Sequence, residues 1–224
     1  MRKRWLLIAI PVGLVALVSG GTWLYINVIR DDPPPKLAIV DDAGSDSDTD
    51  GTIEGTWSVV SGSRAGYRVD EVLFGQNATA VGRTQDVTGS ITIAGTTVQT
   101  GSFEVDMTTV ASDQSRRDGQ FHGRIMETAT FPTSTFALTA PIELGSEPIL
   151  GTKTPAQATG DLTLHGTTKP VTFDVEALHT SGKIQVTGSI PIVFSDYGIP
   201  NPSNPAVTTE DHGELEFLLV LRRP

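Results

Sequence analysis

The sequence predicts an all-β fold, a sheet of about eight antiparallel strands closed into a barrel with one short helix. Beyond about residue 55, apolar and polar residues alternate along run after run, as half-buried strands do. Glycines punctuate those runs at turn positions, and only one stretch, Ser112 to Ile125, carries helical spacing.

In chain order, the first element is an apolar run from Trp5 to Ile29 without a charged residue, long enough to cross a bilayer as one helix. Arg2, Lys3 and Arg4 precede it and Asp31 and Asp32 follow, which orients the N-terminus inward and the rest outward. Trp5, Trp23 and Tyr25 suit the two interfaces. The expectation is a single-pass signal anchor spanning residues 1–29 with its cytoplasmic tip. The rival is a signal peptide cut near Val18-Ser19-Gly20, against which stands the continuation of the apolar run through Ile29.

Residues 30–54 read as a disordered acidic linker, with Pro33, Pro34 and Pro35 first and repelling aspartates after. Asp46, Asp48, Asp50 and Gly51 imitate the start of a calcium loop, but Trp57 stands where the bidentate glutamate belongs and no helices flank the segment. A solvated spacer is the better reading.

Residues 55–224 have the size of one domain. Tyr67, Val69 and Leu73 share one parity, as do Phe103, Val105 and Met107, then Phe136, Leu138 and Ala140. The pattern continues through Leu162 and Leu164, Val171, Phe173 and Val175, Ile184, Val186, Ile190 and Ile192, and finally Leu215, Phe217, Leu219 and Leu221. Strands with one apolar face must stack or close, and closure alone removes the exposed edges. The helical stretch, opened by Ser112 as N-cap, sets Phe121 and Ile125 on one face and is placed across a barrel end as a lid. The chain has a net charge of −10 and no cysteine. It therefore has no disulfide to lean on, and its domain, lacking a basic patch, is unsuited to nucleic acid.

Four ordered motifs resemble the YceI family of lipid-binding proteins, from about Trp57 to Leu221. They are Trp57-Ser58-Val59 with Ser63 and Tyr67-Arg68-Val69; Arg117-Asp118 with Phe121, Phe131-Pro132 and Phe136; Gly160-Asp161-Leu162-Thr163-Leu164-His165-Gly166-Thr167-Thr168-Lys169-Pro170-Val171; and Asp196-Tyr197-Gly198-Ile199. The resemblance implies an eight-stranded lipocalin-like barrel whose apolar cavity takes an isoprenoid chain, such as a polyprenyl phosphate or quinone tail. It implies no cofactor beyond such a lipid. Combined with inward parity, it nominates Tyr67, Val69, Glu71, Leu73, Phe103, Val105, Arg117, Phe121, Phe136, Leu138, Phe173, Ile190 and Phe217 as ligand-binding residues. Glu71 stands where many family members have a histidine, and a carboxylate there favours an uncharged head over a phosphate.

Each nomination has a plainer counterpart. Arg116 and Arg117 suit a phosphate, yet Arg117-Asp118 equally suits a tie between helix and barrel rim. The inward aromatics line a tunnel or plug it. His122, His165, His179 and His212 lack metal-ligand spacing, and His165 is expected to serve its hairpin. No nucleophile elbow is present, so an enzyme acting on a quinone-like lipid is the weakest reading, behind a barrel module without ligand. The proline-rich stretch from Asp196 to Thr209 is expected to form a long rim loop.

Overall fold

The computed structural model describes residues 33–40, 52–73, 75–180, 182–205 and 207–224. Its strands are β1 (Gly55–Val59), β2 (Arg64–Leu73), β3 (Gln76–Thr84), β4 (Val87–Ala94), β5 (Thr97–Asp106), β6 (Ala111–Ser112), β7 (Thr133–Leu138), β8 (Ile142–Glu143), β9 (Lys153–Leu164), β10 (Thr167–Thr180), β11 (Lys183–Val193), β12 (Val207–Thr209) and β13 (His212–Arg222). They close into an eight-staved antiparallel barrel, as expected.

Two staves are composite. The upper part of β13 pairs with β2, Glu214 opposite Arg68 through Leu218 opposite Arg64, and its lower part pairs with β1 at Leu221 and Arg222. Thus β1 and β2 form one stave, interrupted where Gly62 takes a positive φ of 97°. Ser63 fills the interruption: its buried hydroxyl accepts from the Val220 amide at 2.9 Å, so a side chain replaces the missing ladder partner. Likewise β3 pairs with β2 while β4 pairs with β1. From there the wall runs through β5, β7, β9, β10 and β11 back to β13.

One end of the barrel carries the long connection between β5 and β7. Its helix begins at Ser115, three residues later than expected, and runs to Gln120 before a wider turn over Phe121–Ile125. Ser112 is not its N-cap. It belongs to β6, bridged to Gly82, and its amide and hydroxyl both bond the Asp118 carboxylate, at 2.9 and 2.6 Å. At the same end, the connection from β11 to β13 is less irregular than expected. It opens with a 3-10 turn, Phe194–Tyr197, and closes with β12, which pairs with the tip of β2.

The larger difference concerns the spacer. Residues 33–40 lie along the outer wall as a strap rather than as free linker. The Arg68 guanidinium donates to the Pro34 carbonyl, Arg83 to that of Pro35, and the Leu37 amide to Glu216. Thr187 donates to the Leu37 carbonyl at 3.0 Å, and Gln185 to that of Val40 at 2.9 Å. Ile39 is buried with Leu178 and Leu218, which point outward from β10 and β13. Composition misses this because three apolar side chains suffice once the wall supplies partners for the strap's backbone. The expected anchor and the acidic run after Val40 fall outside the described residues. Among the described residues, no helix is long and apolar enough to cross a membrane.

Candidate functional site

The inward parities leave a cavity of about 580 Å³ running along the barrel axis. It is hollow because of a repeated device. Tyr67 lies over Gly82, Phe103 over Gly89, Phe136 over Gly160 and Phe217 over Gly188, each glycine on a neighbouring strand. A Cβ on Gly82 would stand 2.4 Å from the Tyr67 ring, and one on Gly160 2.4 Å from the Phe136 ring. The missing side chains let the rings lie against the wall instead of projecting across the lumen. Phe173 touches Phe136 and Phe217 edge-on, with centroids 5.3 and 5.9 Å away.

The ends differ in chemistry. At the floor, Ile53, Trp57 and Leu221 are almost fully buried. The Trp57 indole donates to the Ile53 carbonyl at 2.7 Å, with the Arg223 guanidinium over its ring and His179 edge-on beneath. The mouth, beneath the helix, is where the inward-directed charged side chains gather, Glu71, Arg116 and Arg117, while Glu214 and Glu216 border the cavity through a strand whose outer face carries their carboxylates. There Arg117 pairs with Asp113 and reaches Glu71 at 3.6 Å, so it ties the helix to the tip of β2. Tyr67 stacks on Phe121, centroids 5.0 Å apart. Burial holds its phenol well above the ordinary value, with the Arg117 charge opposing this and the nearby carboxylates adding to it, so the hydroxyl remains protonated and able to donate.

All of the nominated residues line this one cavity: Val69, Val105, Leu138, Phe173 and Ile190 form its middle, Phe103, Phe136 and Phe217 its aromatic wall, and Tyr67, Glu71, Leu73, Arg117 and Phe121 its mouth. Glu71 faces Arg117 there, so its carboxylate is countered rather than alone. His165 serves its turn, with φ of 50° and Nδ1 3.2 Å from the Tyr197 carbonyl. Pro202, Asn204 and Val207 line the mouth from the β11–β13 connection, the stretch expected as a rim loop, whereas the glycines under the rings, His179 at the floor and the inner face of β4, Val87, Ile91 and Ile93, were not nominated from the sequence. Parity would have found His179, which continues the inward series Phe173, Val175, Ala177.

Among the described residues, Glu210, Asp211 and His212 alone bring three metal-ligating groups together, all exposed. They stand on the outer rim, away from the lumen.

Fold and cavity define a closed antiparallel barrel built around an internal apolar site with a charged mouth. The YceI-like domain model matches residues 57–221, and the chain belongs to that family. A UPF0312 protein of Shewanella denitrificans is 30% identical over 138 residues, covering 56% of this chain and 67% of that protein. Among solved structures, a polyisoprenoid binding domain from Saccharophagus degradans superposes with a TM-score of 0.62 at 17% identity, over 76% of this chain and 99% of that one. Burkholderia cenocepacia BcnA gives 0.53 at 20% identity, over 69% and 95%. At such identities these two likenesses speak for the fold.

Proposed function

We propose that this protein is a membrane-tethered, extracytoplasmic binding protein that sequesters or carries an isoprenoid or similar long-chain lipid in its barrel. The observation that carries this reading is the apolar cavity of about 580 Å³ whose inward carboxylate and guanidinium side chains, Glu71, Arg116 and Arg117, stand at one end, Glu214 and Glu216 being turned to the outer face of β13. A hydrocarbon tail in such a lumen contributes roughly 0.8 kcal/mol per buried methylene, and a polar head at the mouth meets the groups that orient it. The solved polyisoprenoid binding domain shares this fold, which agrees with the choice of ligand. The tether rests on the uncharged run from Trp5 to Ile29 and the basic residues before it.

At the mouth, Arg117 is engaged by Glu71 and Asp113, while the Tyr67 phenol is protonated. An anionic head must compete with two carboxylates for the guanidinium, whereas an uncharged head, such as a quinone ring, accepts from the phenol without that contest. Lipid extraction and mass spectrometry of the purified protein test the main claim. The wild type is expected to yield a long-chain lipid and an Ala156→Phe variant, whose ring fills the lumen, at least tenfold less. Wild-type protein that stays empty in every lipid offered overturns it. For the head, Glu71→Gln is expected to strengthen binding of a polyprenyl phosphate more than of a quinone, and equal changes refute the preference.

A further inference from the structure

The strap has a direction. Its first residues meet Arg68 and Arg83, in the part of the wall where β2 rises to the mouth, and Lys36 meets Glu214 near the mouth end of β13. Its last residue, Val40, is held by Gln185, next to the floor end of β11. The chain therefore arrives at the barrel from the mouth side and descends. In the sequence only Arg30, Asp31 and Asp32 separate Ile29, the end of the apolar run, from Pro33. Fully extended, the four steps from Ile29 to Pro33 cover about 14 Å. Because the strap is pinned by six wall residues, Arg68, Arg83, Glu214, Glu216, Thr187 and Gln185, the working tether is this short piece and not the whole of residues 30–54.

On the reading that the apolar run spans a bilayer, we infer that the mouth rim, formed by the tip of β2 with β3 and by the β11–β13 connection, docks on the membrane surface so that the cavity opens towards the lipid. The rim suits that surface. Val72 and Val193 are exposed there, 37% and 45%, beside Leu73 and Val207 of the lining. Apolar exposure alone points the other way, since Ile149, 71% exposed, and Leu150 lie at the floor end, where the Gly151 amide bonds the His179 carbonyl. The path of the chain decides between the two ends. Charge does not: Asp70, Glu210 and Asp211 are exposed near the rim, but so are Arg116 and Arg124 beside it, so the two signs are mixed there. The short tether, and not electrostatic attraction, holds the rim down.

The chain has no cysteine, so single labels report position. Full-length protein carrying Val72→Cys or Ile149→Cys is labelled with a fluorophore and reconstituted in phosphatidylcholine vesicles containing a lipid-borne quencher. The Val72→Cys label is expected to be quenched at least threefold more than the Ile149→Cys label. Adding Ile39→Asp, which expels the strap from its apolar seat and lengthens the tether, is expected to bring the two towards parity. Equal quenching without that change, or a difference that survives it in full, overturns the inference while flotation with the vesicles leaves the anchor reading standing. Protein that does not float with the vesicles overturns both.

Discussion

The two faces of β13 invert the usual relation between polarity and packing. Its inner side chains, Leu215, Phe217, Leu219 and Leu221, are apolar, yet several of them border empty space. Its outer face carries Glu214 and Glu216, yet there Glu216 is 3% exposed and Leu218 is sealed under Ile39. Inside, the wall keeps its lumen open by pairing rings with glycines. Outside, a strap of eight residues completes what a strand's solvent face normally leaves to water. Alternation thus specifies which face is apolar, while what packs against that face is decided by distant parts of the chain.

The sharpest break in this contrast is Glu216→Ala. Its carboxylate receives Arg83 at 2.7 Å, lies 3.7 Å from Arg68 and accepts the Leu37 amide, so its removal strands two partly buried guanidinium groups and the strap's backbone. A loss of about 3 kcal/mol is expected, at the low end for a broken buried pair because both arginines keep some water. Urea unfolding measures it, and a change below about 1 kcal/mol would place the cluster among ordinary surface ion pairs. A second comparison uses two leucines of one strand. Leu218→Ala, beneath the strap, is expected to cost about 3 kcal/mol, and Leu215→Ala, which only enlarges an existing void, about 1 to 2. The reverse order in the same titration would mean that the lumen is packed and the strap is not.

The closed barrel was legible because parity repeats on seven of its staves, although the stave of β3 and β4 showed no run and several glycines, Gly82, Gly89, Gly160 and Gly188, lie within strands rather than at turns. The nominated strand residues that line the cavity were legible for the same reason, since period-two alternation assigns each one a face, whereas Arg117 and Phe121 came from helical spacing and the motif around them. Less could be read where the chain leaves that period. Ser112 looked like a cap because serine before a helical run usually is one, yet Asp118 competes for its hydroxyl and the strand bridge to Gly82 fixes its backbone. The strap was hidden in an acidic, proline-rich segment because its stability resides in the wall's side chains, Arg68, Arg83, Gln185 and Thr187, none of which is near it in sequence. The glycines beneath the rings needed the cross-strand register, which depends on where the composite staves are interrupted.

The smallest expected effect is a pH dependence at the upper edge of the strap. Glu214 accepts from Lys36 at 2.5 Å and from Ser189 at 3.1 Å. The Lys36 hydrogen bond holds the carboxyl below its ordinary value, burial opposes this, and the Ser189 hydroxyl adds to the depression. A carboxylate with a depressed folded-state pKa contributes stability that is fully present above its unfolded value, about 4.3, and lost as pH falls through the folded one. Docking of the strap is therefore expected to weaken below about pH 4 and to be insensitive to pH between about 6 and 8. The pair is half-exposed, so solvent screens it and Lys36→Ala is expected to cost under about 1 kcal/mol at neutral pH. Hydrogen exchange of the Leu37 and Val40 amides, compared at pH 3.5 and 7 after correction for intrinsic rates, reads the change directly. If protection is equal at both values, the hold on the strap resides in Ile39 and the Glu216 cluster, and the outer face of β13 owes its order to burial rather than to the exposed charge above it.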